Sequence, residues 1–330
     1  MKKSAILSII ITVVLVISFG IFFGRDLFQS ENINKLDEEI LKKTAQRLGG
    51  LCATLRECEV YCIENQFACE VYCVKNSENA FCKERFAYLD ADQQTLLRFP
   101  AFRNYNYTFK DGKLVEKNPV VQNIGVIIDY YDSKTNKAGD FVFTKFTYPW
   151  GEIFNNKIFF DYGESEGEKN GTIERNPQLV YNVPLGTKVH AIGSGIVTAI
   201  SPVYSGDVTI FIIHPESPSW IYEHEHVINP TVNVGDYVEA GQVIAEVSNY
   251  SEWQRKMNYG VVDIGLFRPT REYPAHHCPF LYFNESHKTD TLAKINALYR
   301  SWEAYEKNSS IYDEHNYPVA GCVITDVLSD

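Results

Sequence analysis

Between Ile173 and Phe267 the chain runs through short segments rich in valine and isoleucine, broken by glycine turns at regular spacing. That repetition constrains the fold more than any other feature. Short β-branched segments with frequent turns build a small barrel or sandwich. The composition agrees, with 21 tyrosines and 20 phenylalanines against 2 methionines.

The flanks read differently. Upstream, YNYTFKDGKLVEK holds Asp111-Gly112 between two alternating segments, a hairpin signal. Ile124 to Tyr131 (IGVIIDYY) and Phe141 to Tyr148 (FVFTKFTY) read as two further strands, and Gly163 to Gly171 as an exposed polar loop. Downstream, TLAKINALYRSWEAYEKN places Leu292, Ile295, Leu298 and Trp302 on one side of a helix.

The N-terminus sets the compartment. Ser4 to Gly24 carries no charge and follows Lys2 and Lys3. Such a run is long enough to span a hydrocarbon core of ~30 Å as a helix. The lysines favour a cytoplasmic N-terminus with the remainder outside. A cleaved signal peptide is the rival, although no A-x-A-like site follows. Either way the chain is expected to be an exported, single-pass membrane protein whose first partner is the lipid bilayer. Residues after the anchor, with Ile33, Leu36, Ile40 and Leu41 at helical spacing before Gly49-Gly50, read as a membrane-proximal helix. Its Asp37-Glu38-Glu39 run reads as a solvated face.

Cysteine usage fits export. Of 8 cysteines, Cys52, Cys58, Cys62, Cys69, Cys73 and Cys82 are clustered, while Cys278 and Cys322 stand apart. An even, clustered set in an exported chain reads as disulfides. The i,i+4 pairs Cys58/Cys62 and Cys69/Cys73 suggest two short helices joined by Cys58–Cys73 and Cys62–Cys69, with Cys52–Cys82 closing the base. Six cysteines allow fifteen pairings, so this nested set is one arrangement among several. Cys322 is free to pair with Cys278. N-x-S/T triplets begin at Asn106, Asn170, Asn249, Asn284 and Asn308, compatible with glycosylation in a host that performs it.

Within the strand-rich part, PLGTKVHAIGSGIVTAI, VTIFIIHPES, the IYEH strand end and VNVGDYVEAGQVIAEV occur in that order. Together they resemble the β-sheet core of the lysostaphin/LytM-type zinc metallopeptidases, the duplicated-hybrid-motif enzymes that cleave peptide cross-links in bacterial cell walls. The resemblance covers Ile173 to Leu266, under a third of the chain. Gly195, Gly235 and Gly241 fall where tight turns are needed. The G-D-x-V-x-x-G-Q piece alone also occurs in biotinyl and lipoyl carriers, but their modified lysine has no counterpart here.

The resemblance implies zinc held by an H-x-x-x-D segment and by the second histidine of an H-x-H strand. Three protein ligands and one open position suit a hydrolytic zinc. Carried over, the first ligand position falls on Asn176, the aspartate position on Val180, and H-x-H on Val261 and Asp263. His224, in YEH, is the one match to a family histidine and reads as a remnant of the catalytic set. Since no histidine lies between Ile173 and Lys188, no shift of register restores the first ligand. No metal or other cofactor is therefore expected. The alternative is a substitute zinc site of His224, His226 and Asp263, His224 and His226 sharing one face of a regular strand.

The other histidines read as structural: His226 as a surface residue, His276-His277 as an exposed loop pair, His214 as a turn residue and His190 as a hydrogen-bonded barrel residue. No G-x-S-x-G, H-E-x-x-H, P-loop or dinucleotide fingerprint appears. All eight cysteines can be assigned to disulfides, so no cysteine nucleophile is expected. A net charge of −11 gives no basic stripe for nucleic acid.

The expected organisation is a transmembrane anchor (1–25), a helical and disulfide-clipped region (26–100), a β-rich segment (101–172), the lysostaphin-like core (173–270), and a C-terminal helix with a tethered tail (271–330). The expected function is a non-catalytic peptidase-like domain outside the membrane, binding, scaffolding or regulating envelope proteins or wall material. The opposed expectation is a zinc endopeptidase with substituted ligands. A third is a purely structural surface protein.

Overall fold

The computed structural model describes residues 60–62, 65–75, 82, 96–110, 113–144, 157–169, 171–249, 252–270 and 273–329. The stretches expected as a membrane anchor and a membrane-proximal helix, with Cys52 and Cys58, lie outside these residues. Among the described residues no helix is long and apolar enough to cross a membrane.

The first described helix, Gln66–Lys75, carries Cys69 and Cys73 one turn apart. They bond to different partners, Cys62–Cys69 and Cys73–Cys82. Because Cys73 takes Cys82, the nested arrangement is corrected: neither Cys58–Cys73 nor Cys52–Cys82 forms. The i,i+4 spacing puts two sulfurs on one helix face but does not select the segment each one meets.

The strands follow in chain order. Two hairpins come first, β1 (Thr108–Lys110) with β2 (Lys113–Val115), and β3 (Lys137–Ala138) with β4 (Phe141–Val142). Next come β5 (Phe159–Phe160) and a third hairpin, β6 (Ser165–Lys169) with β7 (Thr172–Arg175). The polar stretch expected as a loop is thus largely an exposed antiparallel pair. The main sheet is built from β8 (Leu179–Pro184), β9 (Lys188–His190), β10 (Gly195–Pro202), β11 (Val208–Ile213) and β12 (Ile221–Ile228). It continues with β13 (Tyr237–Val238), β14 (Val243–Val247), β15 (Tyr259–Arg268), β16 (Ala275–His276) and β17 (Leu328–Ser329).

This sheet has 11 strands and the order β13-β10-β11-β12-β15-β16-β17. Strand β15 is its axis, pairing with β12, β8 and β16. Beside it, β14 joins β12 to β9, and β5 extends β8. The G-D and G-Q turns take backbone shapes that disfavour a side chain, with φ of +99° at Gly235 and +85° at Gly241. Gly195 acts differently: a β-carbon there would lie 2.6 Å from the Ile213 carbonyl oxygen.

Ile124 to Tyr131, expected as a strand, belongs to no ladder. It lies extended on the core, burying Ile124 and Val126 while Ile127 and Tyr130 face out. Of the next expected strand, only Phe141–Val142 is a ladder within the described residues. The C-terminal helix Glu285–Glu306 starts with an Asn284 side chain accepting from the Ser286 N–H, and Lys307 ends it in the left-handed conformation. It buries Ile295, Leu298, Tyr299 and Trp302 against the sheet core. Cys278–Cys322 ties the tail to the exit of the sheet.

Candidate functional site

Strand registers place Val180 of β8 opposite Phe160 of β5 and Asp263 of β15, and Asp263 opposite Glu225 of β12. Directly opposed residues project from one face of a sheet. One face therefore carries the row Phe160, Val180, Asp263, Glu225. The same alternation adds Val261, Gln178 and Glu223 to it.

This face has two halves. Phe160, Val180 and Val261 form a buried apolar cluster of their own. The other half is polar: the Gln178 amide donates to Glu223 at 2.9 Å and to Glu225 at 3.0 Å. Gly265 stands opposite Glu223, and a β-carbon there would lie 2.4 Å from the Glu223 Oε2. Glycine thus leaves room for the carboxylate.

His224 is on the other side of β12. It pairs across the ladder with Ile264 of the main core, is fully buried, and accepts the Ile192 N–H on Nε2 at 3.1 Å. Burial holds its pKa down to about 4, so its imidazole is neutral at physiological pH.

His226 escapes the alternation. The β11–β12 register shifts between Val208 and Ile210, and His226 takes φ +56°. This bulge turns its ring toward the face that carries Asp263. Nδ1 lies 2.9 Å from Asp207 Oδ2 and 3.3 Å from the Ser205 hydroxyl, which also bonds Asp207. Burial lowers the His226 pKa, but the charges of Asp263 and Asp207 outweigh it and the net shift is upward. Burial raises the Asp207 pKa, yet hydrogen bonds from Ser205, Ser248 and His226 bring it below the ordinary value. Asp263 is pushed up to about 7 by desolvation and by the charges of Glu225, Glu166 and Asp207, against the pull of His226.

The three residues of the substitute zinc site therefore do not converge. His226 and Asp263 act on each other across one face, while His224 faces the core. His226 is buried rather than a surface residue. The expectation of an exposed His276-His277 pair is corrected too: His276 is buried in β16 against Phe267, and half-buried His277 packs on Trp220. His190 bonds the Gly241 carbonyl, and His214 accepts the Glu216 N–H in its turn.

The donors do not fit a hydrolytic zinc. Val180 and Val261 offer no lone pairs and are packed on Phe160. Asn176 is buried with its amide spent on its own loop, donating to the Gln178 carbonyl at 2.6 Å. Among the described residues no group of three His, Cys, Asp or Glu side chains is placed to hold a metal ion.

Sequence reasoning missed Phe160, Asp207, Tyr204 and the Gln178 bridge. Phe160 and Asp207 lie far from the histidines in the chain. The signal at Asp207 was its place in a Ser-Gly-Asp turn between two strands.

Residues 176–263 match the model of Peptidase family M23. Among solved structures, lysostaphin in solution is similar at 24% identity, covering 34% of this chain and 43% of that one, with a TM-score of 0.28. The catalytic domain of lysostaphin from Staphylococcus simulans is 25% identical over 39% of this chain and 94% of that one, with a TM-score of 0.30. LytU is 19% identical over 38% of this chain and 86% of that one, with a TM-score of 0.30. The chain thus spans less than half the length of the lysostaphin studied in solution. No curated protein matches it. Over residues 176–263 the chain is thus metallopeptidase-like and similar to Peptidase family M23.

Proposed function

We propose that the M23 domain of this protein is non-catalytic and serves binding, scaffolding or regulation at the cell envelope. The observation that carries this reading is the apolar cluster of Phe160, Val180 and Val261, at positions where the family places an aspartate and a histidine. The face itself remains, with its carboxylates and His226, as a surface for wall peptides or envelope proteins. The N-terminal apolar run anchors the chain in the bilayer and displays the domain outside it.

The opposed reading is a zinc hydrolase with substituted ligands. It is favoured by one observation, that His226 and Asp263 act electrostatically on each other.

Metal analysis of the purified full chain separates the two. The non-catalytic reading expects no stoichiometric zinc and no hydrolysis of wall peptides. One zinc per chain, lost in His226→Ala, would establish the hydrolase reading instead.

A further inference from the structure

Behind the sheet, one charged pair is buried in a setting that suits covalent chemistry. Lys157 precedes β5 and Glu164 follows it. Their side chains meet as an ion pair, Nζ on Oε1, with the lysine side chain only 6% and the glutamate 17% exposed. Lysine is almost never buried this far. Its Nζ stands 5.0 Å from the centre of the Tyr312 ring and 5.9 Å from that of Phe160, so aromatic faces replace much of its water. Tyr312 is itself fixed. Its hydroxyl bonds the N–H and the carbonyl of Phe159, and its ring stacks on Tyr299 at 4.1 Å.

The backbone is locked on both sides of the pair. The Lys157 carbonyl accepts the Asn182 side-chain amide at 3.1 Å. The Glu164 N–H donates to the Asp161 carbonyl at 3.3 Å, and the Glu164 carbonyl accepts the Asn176 N–H at 2.8 Å. The second carboxylate oxygen of Glu164, Oε2, faces the Asp161 N–H at 3.4 Å. One oxygen therefore meets an amine and the other a backbone donor, the arrangement that steadies an oxyanion during acyl transfer. Fixing the two partners in contact also removes most of the entropy barrier to their reaction.

A second observation concerns the acid beside the pair. Asp161 is fully buried, with the Tyr299 hydroxyl on Oδ1 and no partner on Oδ2. Burial pushes its pKa up to about 8. Near neutral pH it keeps its proton and adds no charge that would hold Lys157 as an ammonium.

We propose that Lys157 and Glu164 condense into an intramolecular amide, a covalent clamp across the two ends of β5. The step needs no co-reactant. A proton passes from the Lys157 ammonium to Glu164 Oε1, and the neutral Nζ attacks Cδ. Oε2 carries the negative charge of the adduct, facing the Asp161 N–H. A second proton then moves from Nζ to Oε1, the Cδ–Oε1 bond breaks, and water leaves. Nothing is oxidised or reduced, since the ion pair has the atoms of the amide plus one water. Burial favours the product, because two desolvated charges are costly to keep and an amide carries none. The inference concerns the covalent structure of the chain and does not depend on whether its M23-like part is catalytic.

The test is peptide mapping of the purified full chain, held folded at neutral pH for several days and then denatured and digested with trypsin. Trypsin cuts after a free lysine and not after an acylated one. The wild-type chain is expected to give one peptide that is uncut after Lys157 and lighter than its sequence by one water. Its fragment spectrum should lack cleavages between Lys157 and Glu164, which the ring holds together. Lys157→Arg keeps the charge but offers no amine, and should restore both the full mass and the cut. Should that variant misfold, the wild-type map decides alone. Full mass with cleavage after Lys157 means an ion pair only and overturns the proposal. Loss of water with Lys157 still cleavable assigns the dehydration to another residue and overturns it as well.

Discussion

His226 Nδ1 and Asp207 Oδ2 are 2.9 Å apart, although His226 holds a backbone conformation, φ +56°, that residues with a β-carbon seldom adopt. The pair links the bulge in β12 to the β10–β11 turn. Both side chains are buried, so neither end of the bond is replaced cheaply by water. His226→Ala keeps the backbone strain and leaves buried Asp207 with only its Ser205 and Ser248 hydrogen bonds, and is expected to cost about 1–3 kcal/mol in urea unfolding. His226→Gly relieves the strain and should recover part of that loss. If glycine proves no better than alanine, the bulge is not strained.

The same pair sets a pH dependence. The folded pKa of His226 is raised, so its stabilising contribution is complete below the unfolded value of about 6.5 and fades as pH rises through the folded value. Asp207→Asn removes one of the charges that raise it. The His226 midpoint in an NMR titration should fall, and the stability advantage of acidic over neutral pH should shrink. An unchanged midpoint would assign the shift to Asp263 and Glu225.

Val180 tests the apolar half of this face. It is 6% exposed and packed with Phe160 and Val261. Val180→Asp places a carboxylate among apolar side chains with no described cation directly opposite, and is expected to cost about 3–5 kcal/mol. Phe160→Ala opens a cavity at the same place, with an expected loss of about 3–5 kcal/mol. Chemical denaturation of each variant, with and without zinc, checks both values. Recovery of Val180→Asp by zinc would mean that the remaining donors suffice to bind metal.

What was legible in the chain was its local chemistry. Gly235 and Gly241 announced their turns because only a residue without a β-carbon sits easily at those angles, and Ile295, Leu298 and Trp302 announced a helix face. Ile124 to Tyr131 misled because an apolar run reports burial and does not report a ladder partner. The histidines misled for a sharper reason. Strict alternation puts His224 and His226 on one face, and a single bulged residue with positive φ separates them, one into the core and one toward the face that carries Asp263. Nothing in Glu-His-Glu-His marks that bulge, because it is set by the registers of β11 and β15. Phe160 and Asp207 were illegible for the same reason, since pairings fixed elsewhere bring them to the site. The cysteines showed the limit of spacing, as Cys69 and Cys73 share a helix face yet bond in opposite directions.

A second titrating group lies behind the sheet. Asp161 is fully buried, accepts a hydrogen bond from the Tyr299 hydroxyl on Oδ1, and leaves Oδ2 without a partner. Burial and the neighbouring Glu164 push its pKa up to about 8, against the pull of Lys157 and the tyrosine hydroxyls. A carboxyl whose folded pKa lies above its unfolded value binds its proton more tightly in the folded state. Stability therefore falls as pH rises from about 4 to about 8. Asp161→Asn keeps the acceptor for Tyr299 and removes the ionisation. The variant should match the parent near pH 4 and exceed it by roughly 1–3 kcal/mol near pH 9. Thermal unfolding at the two pH values checks this, and a variant weaker at both would show that Asp161 is ionised and paired.

The disulfide Cys278–Cys322 spans a sequence separation of 44 residues, and both cysteines are fully buried. Between them runs the C-terminal helix. The bond joins the start of that excursion to its return, where Cys322 bridges Tyr162. The Tyr162 hydroxyl shares its one proton between the carbonyls of His276 and Asp326 and accepts the Leu328 N–H. The closure is therefore held by hydrogen bonds as well as by sulfur, and the helix keeps its own buried face of Ile295, Leu298, Tyr299 and Trp302. Removing the bond should act mainly on the unfolded chain, which regains the freedom of a loop of that length, worth about 4 kcal/mol in the chain-entropy model. The double variant Cys278→Ala/Cys322→Ala is expected to lose about 2–4 kcal/mol in guanidinium unfolding while keeping its near-ultraviolet circular dichroism. Loss of that signal under native conditions would mean that the bond, rather than the hydrogen bonds around Tyr162, holds the tail to the sheet.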